Sequence, residues 1–492
     1  MIKKILIANR GEIAVRVIKS ARSMGIKTIT LYAEDDQHLP HAFMSDESVC
    51  LGSGSLQETY LNQDKILEIA QKYHADAIHP GYGFLSENAG FCERVEKLGI
   101  KFIGPTPEAI RLMGDKIGSK IEAEKYNVPM IPGYHGEKQD EAFLSSKALE
   151  IGFPVLIKAS AGGGGKGMRI VHAASEFNEA LQSAKNEAKK AFGNEAVLVE
   201  KYVTNPRHIE VQVMSDEHGQ HFHLFERECS IQRRYQKVIE ESPAFIMKDE
   251  TRQKICQTAV SIARGIKYRG AGTVEFVMDD QENFYFLEMN TRLQVEHPIT
   301  EMVTGMDLVG LQIKVAQGEK LLLEQSSIRQ NGHAIECRIC AEDPDNDFLP
   351  TVGKIHKIGL PTLKDVRLDC GYVDGSTVGI NYDSMLAKLI TWAPTREEAI
   401  TKMLHALDEV SFSGIKSNRD YLRRVLKHPE FIKGHTNTHF IKTHADQLKP
   451  AALAPKTHGA HLAAYLLSLK STSNSLSVSQ STPWNEISGL RN

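Results

Sequence analysis

The chain has 492 residues, 41% of them hydrophobic and 25% charged, and a formal net charge of −3. That length suits about three domains of roughly 150 residues each, and the near-neutral charge offers no basic surface for nucleic acid or an anionic membrane. Seven scattered cysteines, with Cys337 and Cys340 as a single CxxC, give no disulfide or zinc framework, and too few apolar residues precede Asn9 for a signal peptide, so a cytoplasmic location is expected.

Residues 1–112 alternate strand and helix patterns. K-K-I-L-I-A precedes a helix from Glu12, then come I-K-T-I-T-L-Y, A-D-A-I-H-P and G-I-K-F-I-G. This alternation predicts a parallel sheet with flanking helices. The turn A-N-R-G-E-I after the first strand is not a dinucleotide fingerprint. The loop H-P-G-Y-G-F-L-S-E-N (79–88) has two glycines at a strand end, the usual ligand edge of such sheets. A helical stretch around 107–127 carries Lys116 at a helix start in M-G-D-K.

A compact region follows in which F-P-V-L-I-K-A-S and M-R-I-V-H flank the glycine loop Gly162, Gly163, Gly164, Gly165, Lys166, Gly167. With a strand on either side, the loop fits neither Rossmann nor Walker geometry, and it reads as a flap whose amides approach anionic oxygens. Lys158 ends a buried-looking strand beside it. In V-L-V-E-K-Y-V (197–203), Glu200 stands among apolar residues as a hinge lining an adenine pocket would.

The densest chemistry lies in E-M-N-T-R-L-Q-V-E-H (288–297). Read as one extended strand, it projects Glu288, Asn290, Arg292, Gln294 and Glu296 to one face. A hairpin centred between Gln281 and Glu282 sets Glu275 opposite Glu288. Two facing carboxylates ask for a cation between them, and two carboxylates with an amide suit Mg²⁺ alongside phosphate oxygens.

Together these pieces resemble the ATP-grasp fold, and closely resemble biotin carboxylase. The resemblance rests on I-A-N-R-G-E-I-A (7–14), residues 79–88, G-D-K (114–116), I-K-A-S-A-G-G-G-G-K-G-M (157–168), N-P-R-H-I-E-V-Q (205–212), E-R-E-C-S-I-Q-R-R-Y-Q-K (226–237), residues 288–301, E-C-R-I-C-A-E-D-P (336–344) and Y-D-S-M-L-A-K-L (382–389). It implies a multidomain α/β and α+β fold: an N-terminal parallel-sheet domain (1–112), a helical linker (113–130), an ATP-grasp lid subdomain with a mobile glycine loop (131–203), an ATP-grasp core with a C-terminal biotin carboxylase domain (204–446), and a linker or tail (447–492).

The activity it implies is ATP-dependent carboxylation of biotin by bicarbonate through carboxyphosphate, as the first half-reaction of an acyl-CoA carboxylase. By the same resemblance, Lys116, Lys158 and the 162–167 loop hold ATP phosphates. Met168, Glu200, Lys201, Tyr202, Val203 and Val277 form the adenine pocket, and His208, Gln232 and Tyr235 lie near the ribose. Glu275, Glu288 and Asn290 bind Mg²⁺ or Mn²⁺, two ions in all. Lys237, Arg292, Gln294 and the Val295 amide hold bicarbonate, Glu296 is the base, Arg338 stabilises the biotin enolate, and Tyr82 lies near biotin. Tyr235, Thr438 and Cys340 depart from the commoner His, apolar residue and Asn.

The expected partners are a biotin carboxyl carrier protein or domain, a carboxyltransferase subunit, and a second copy in a homodimer or larger assembly. No A/V-M-K-M biotinylation string occurs, so the carrier is expected on a separate or removed segment, with the C-terminal tail docking towards it. The competing readings are another ATP-grasp carboxylate–amine ligase, separable by free-biotin dependence, and a silent scaffold subunit, against which every filled base, metal and phosphate position argues. The acyl acceptor is chosen by another component and is not readable here.

Overall fold

The computed structural model describes residues 1–160 and 168–450. The glycine loop 162–167 and the tail beyond residue 450 lie outside the described residues.

The N-terminal strands β1 (Lys4–Ile7), β2 (Lys27–Tyr32), β3 (Glu47–Cys50), β4 (Ala77–His79) and β5 (Lys101–Phe102) form a parallel sheet in the order β3-β2-β1-β4-β5. Ile5, Leu6 and Ile7 are fully buried, as a central strand covered on both faces requires. Strand order reverses between β1 and β4, and ligands of open α/β sheets bind outside the carboxyl ends of strands at such a switch. The two loops leaving those ends are stapled together: Asn9 Nδ2 donates to the carbonyls of Pro80 (2.7 Å) and Tyr82 (2.8 Å). The predicted ligand edge at 79–88 therefore sits at the switch point.

The helical stretch predicted at 107–127 is two helices, Pro107–Gly114 and Lys116–Glu124. Asp115 breaks them, and its carboxylate accepts from the amides of Ile117 and Gly118 as an N-cap. The next strands, β6 (Gly133–Tyr134), β7 (Val155–Ala159), β8 (Arg169–Val171) and β9 (Val197–Lys201), form a small antiparallel sheet in the order β6-β9-β7-β8. Val155, Ile157, Val197 and Val199 pack under the helices Glu141–Ile151 and Ala174–Phe192 through Leu144, Phe177 and Leu181.

An eight-stranded antiparallel sheet forms the rest of the frame. It comprises β10 (Arg207–Ser215), β11 (His221–Arg233), β12 (Gln236–Ser242), β13 (Gly270–Met278), β14 (Phe284–Asn290), β15 (His333–Cys340), β16 (Val366–Cys370) and β17 (Met385–Ala393). Their order is β14-β13-β10-β11-β12-β15-β17-β16. Alternation on β10 explains its role. Ile209, Val211 and Val213 pack against the helix Asp249–Gly265 through Ile255, Ala259 and Ile262, so His208, Glu210 and Gln212 face the other way. Among the described residues no helix is long and apolar enough to cross a membrane.

One buried ion pair fastens the far end of this sheet. Arg396 Nε lies 2.6 Å from Glu241 Oε2, and His333 Nε2 lies 2.8 Å from the same oxygen. Burial opposes the Glu241 charge, but Arg396 and His333 hold the carboxyl at about 2. A depressed folded-state pKa contributes stability above the ordinary carboxylate range, and that stability is lost as the pH falls towards about 2. Arg396→Met leaves the carboxylate buried with one partner fewer, so urea unfolding at neutral pH should show a loss of about 3–5 kcal/mol. Wild-type stability in the variant would show that the pair contributes nothing net.

Candidate active site

A cleft of about 750 Å³ runs between the parallel-sheet loops and the face of the large sheet. Asn9, Arg10, Glu12, Tyr82 and Phe84 line one end, and Lys116, Lys158 and Met168 line the other. The floor carries His208, Glu275, Glu288, Asn290, Arg292, Gln294, Val295, Glu296, Lys237 and Arg338, with Gln232 and Tyr235 at the wall.

Strand register builds the floor. Glu288 pairs with Glu275 on β13, and Glu275 with Glu210 on β10, which in turn faces Arg227 on β11. This sets the row Glu288, Glu275, Glu210, Arg227 across four strands. The expected pair, Glu275 opposite Glu288, is observed, although the hairpin centres on Gln281 and a bulge between Glu275 and Phe276 brings the two carboxylates into register. The single extended row from Glu288 to Glu296 is not observed. The strand ends at Asn290, and Thr291–Glu296 leave the sheet as a turn into the helix His297–Thr304. Pro298 in the first helical turn favours that start, and His297 Nδ1 donates to the Gln294 carbonyl at 2.7 Å, closing the turn. The turn still brings the same side chains together. Arg292 donates to Asn290 Oδ1 and to Gln294 Oε1, both at 3.0 Å, and to Glu87 Oε2 at 2.9 Å.

Lys237 is the hub. Its ammonium lies 2.5 Å from Glu210, 2.9 Å from Glu275 and 2.7 Å from Glu296. Burial works against its charge, but the three carboxylates hold its pKa well above the ordinary value. Glu296 is fully buried, with Oε1 on Lys237 and Oε2 on Arg338 NH2 at 2.8 Å. Burial alone would raise its carboxyl, yet Lys237, Arg338 and Arg227 pull it below the usual range, so it is ionised at neutral pH. Arg338 is also gripped through Nε by Glu240 at 2.6 Å. Burial, with Glu296 adding to it, pushes Glu240 up to about 7 against the pull of Arg338.

The metal expectation can be tested on the donor set. Glu275 and Glu288 face each other, and burial followed by the Glu275 charge raises the Glu288 carboxyl, with Lys116 opposing. The Asn290 side chain stands beside them, its Nδ2 donating to Glu275 Oε1 at 2.9 Å and its Oδ1 accepting from Arg292. Two facing hard carboxylates fit Mg²⁺ or Mn²⁺, and the Asn290 oxygen joins them once the amide turns over. His208 stands 3.2 Å from Glu275 Oε2, and His208, Glu210 and Glu275 also converge within metal-binding reach of one another. Burial would lower the His208 pKa, but Glu275 raises it to about 9.

Several expected site residues lie off the cleft wall. Glu200 is buried behind it, 2.7 Å from Lys120 Nζ and 2.6 Å from Lys158 Nζ. Lys201 turns away and donates to the carbonyls of Gly152 and Phe153, and the Tyr202 hydroxyl meets His439 Nε2 at 2.8 Å. Lys201, Tyr202 and Val203 line a separate cavity of about 250 Å³ with Asp279, Asp280 and Tyr285. Val277 pairs with His208 across strands, and Thr438 donates its amide to the Pro206 carbonyl; neither lines the cleft. Tyr235 does reach it. It occupies a two-residue hairpin with Arg234, both at positive φ (66° and 49°), a turn that usually takes Asn or Gly. Holding two bulky residues there stores strain at the cleft wall.

Sequence reasoning missed Lys120, Glu87, Glu210, Arg227 and Glu240. Lys120 had a signal, since it stands four residues after Lys116 on one helix face. Glu210 and Arg227 lay in strings already singled out, Glu210 between two apolar residues and Arg227 between two glutamates.

The family description "Biotin carboxylase, N-terminal domain" matches residues 1–110, "Carbamoyl-phosphate synthase L chain, ATP binding domain" matches 115–324, and "Biotin carboxylase C-terminal domain" matches 336–443. The mitochondrial methylcrotonoyl-CoA carboxylase subunit alpha of Dictyostelium discoideum is 48% identical over 492 residues, covering 100% of this chain and 70% of its own. The human mitochondrial propionyl-CoA carboxylase alpha chain is 49% identical over 89% of this chain and 60% of its own. The chain thus spans 60–70% of the length of these curated relatives. A Campylobacter jejuni biotin carboxylase in a beta-gamma-ATP complex superposes with a TM-score of 0.88 at 47% identity, covering 90% of this chain and 99% of that one. The biotin carboxylase domain of Hydrogenobacter thermophilus 2-oxoglutarate carboxylase, solved with MgADP, ADP and bicarbonate, gives 0.89 at 45% identity over 92% and 99%. Lysines at one end of the cleft, paired carboxylates on its floor and the buried carboxylate of Glu296 on the same floor suit an ATP-grasp ligase. The chain belongs to the biotin carboxylase family.

Proposed function

We propose that this chain catalyses the ATP-dependent carboxylation of carrier-borne biotin with bicarbonate, giving N1′-carboxybiotin, ADP and phosphate. The observation that carries the reading is the clamp on Glu296, one oxygen on Lys237 and the other on Arg338, at the floor of a cleft whose far end bears Lys116 and Lys158. ATP enters with its phosphates on Lys116 and Lys158, and the apolar walls for adenine are Met168, Leu198 and Leu287. The segment Glu200–Val203 then serves as the hinge beside the adenine, and Glu200 neutralises Lys158 together with Lys120 until phosphates reach Lys158. Mg²⁺ or Mn²⁺ at Glu275, Glu288 and Asn290 supplies charge neutralisation for the phosphoryl oxygens when bound.

Bicarbonate lies between Lys237, Arg292, Gln294 and the Val295 amide. Glu296 takes its proton as a bicarbonate oxygen attacks the γ-phosphorus and ADP leaves. Carboxyphosphate hydrolyses readily, so water must be excluded from the cleft while it exists. Its breakdown to CO₂ and phosphate leaves a phosphate that takes the N1′ proton of biotin, and the Arg338 guanidinium holds the ureido oxygen of the resulting anion. Tyr82 lines the biotin end.

The carrier, a carboxyltransferase subunit and a homodimeric or larger assembly are the proposed partners, and an acyl-CoA of the acetyl, propionyl or methylcrotonyl class is the proposed final acceptor. The chain is 48% and 49% identical to alpha subunits of two acyl-CoA carboxylases, which supports both readings. A reducing compartment, the cytoplasm in our reading, suits seven free thiols. The test is ATP cleavage with and without bicarbonate and free biotin. Phosphate release that needs bicarbonate and carboxybiotin that needs both are expected. ATP cleavage indifferent to biotin and bicarbonate would favour a ligase for another acceptor.

Glu288→Gln removes one of the two facing carboxylates, and the half-saturating Mg²⁺ concentration should rise by about 10-fold or more, on the order of one lost charge-assisted contact of 1.5–3 kcal/mol. An unchanged Mg²⁺ titration would sink the ligand assignment.

A further inference from the structure

Lys388 has no part in the reaction as described, yet it is a cation with no exposed surface, and lysine is almost never buried without partners. It lies on β17 directly opposite Arg338 on one side and Asp369 on the other. A like charge opposite Arg338 weakens a sheet, so the position has a cost that its other contacts must offset. Its ammonium donates to the Val295 carbonyl oxygen at 2.8 Å and stands 3.2 Å from Glu12 Oε1 and 3.9 Å from Asp369 Oδ2. Glu12 in turn accepts a hydrogen bond from the Tyr82 hydroxyl, and the Tyr82 ring centre is 6.0 Å from the Lys388 ammonium.

These contacts join three segments that are far apart in sequence. Tyr82 comes from a loop at the switch point of the parallel sheet and Glu12 from the first turn of the helix Gly11–Ser23 beside it, Lys388 from the last-but-one strand of the large sheet, and Val295 from the turn that ends in Glu296. The Val295 carbonyl and the Glu296 amide share one planar peptide unit. A donor fixed on that oxygen therefore sets the direction in which Glu296 leaves the turn. The other side of the turn is held by His297 on the Gln294 carbonyl.

We propose that Lys388 and Glu12 are positioning residues that clamp the Val295–Glu296 peptide and tie it to Tyr82, so that the placement of the base depends on a contact running from the biotin end of the cleft. The inference rests on Glu296 being the base, as assigned above. Lys388 touches no reacting atom. It acts through the backbone before the base, and Glu12 holds Lys388 in place from the opposite domain.

Lys388→Met, Glu12→Gln and the double variant, each in the full chain, test the clamp by separate titrations of bicarbonate and MgATP together with thermal melting. The wild type must first show bicarbonate-dependent ATP cleavage; its absence would overturn the function itself and not the clamp. With that activity present, kcat/KM for bicarbonate should fall by about 10- to 100-fold in each variant, the scale of a small misplacement of a reacting group, while KM for MgATP stays within about two-fold. The double variant should be no worse than the poorer single one, because both remove one link. A folded variant with unchanged bicarbonate parameters overturns the clamp, and so does parallel loss for ATP and bicarbonate. Should Lys388→Met fail to fold, Glu12→Gln decides alone, since its amide fills the same space while withdrawing the charge that holds the Lys388 ammonium in place.

Discussion

Glu296→Gln should slow bicarbonate-dependent phosphate release by about 10²- to 10⁴-fold, the usual cost of removing a general base. The carboxylate is ionised and fully buried, and each oxygen already meets a cation: Lys237 at 2.7 Å and Arg338 at 2.8 Å. The amide fills the same space but cannot take a proton, and its NH₂ must face one of those two donors. Some local shift of Lys237 or Arg338 will follow, and this adds to the loss. ATP binding should survive, because Lys116 and Lys158 lie at the other end of the cleft and make no contact with Glu296. Equilibrium binding of ATP and single-turnover phosphate release, measured on the same preparation, separate the two effects. Turnover within a few-fold of wild type would exclude Glu296 as the base.

Legibility in the sequence followed the range of the interaction. The hairpin was readable because Asp279–Asn283 is a polar turn between two β-rich runs, but its inner pairs centre on Gln281, and a bulge between Glu275 and Phe276 is what sets Glu275 opposite Glu288. The parallel sheet and its ligand edge were readable from alternating strand and helix patterns. The end of β14 at Asn290 was not, because the alternation of polar side chains continues through Glu296 although the backbone has left the sheet. Only Pro298 marks the new helix. The partners Glu87, Glu240 and Lys388 were invisible for a different reason. Glu87 reaches Arg292 across more than 200 positions, and Glu240 and Arg338 are brought together by a strand pairing that no local pattern specifies. Glu200 shows a third limit. Its apolar neighbours on β9 suggested a pocket wall, but the strand carries it inward, where Lys120 and Lys158 neutralise it.

Arg338→Ala should divide the two half-reactions. Carboxylation of free biotin is expected to fall by about 10²- to 10³-fold, the size of one lost donor to a developing oxyanion, while bicarbonate-dependent ATP cleavage persists. The geometry explains why the second activity can survive. Arg338 spends Nε on Glu240 and NH2 on Glu296, so its loss leaves two buried carboxylates with less positive charge around them. Burial already places Glu240 near 7, and it can take up a proton in place of its lost partner. Glu296 keeps Lys237, so it remains anionic, and relief from Arg338 makes it a stronger base. Arg338→Lys refines the result: an ammonium restores the charge but not the planar fork, so it should retain ATP cleavage and recover biotin carboxylation only in part. Equal loss of both activities in the alanine variant, with none regained by lysine, would make Arg338 a structural tie between β12 and the 291–296 turn and leave the biotin anion without its assigned partner.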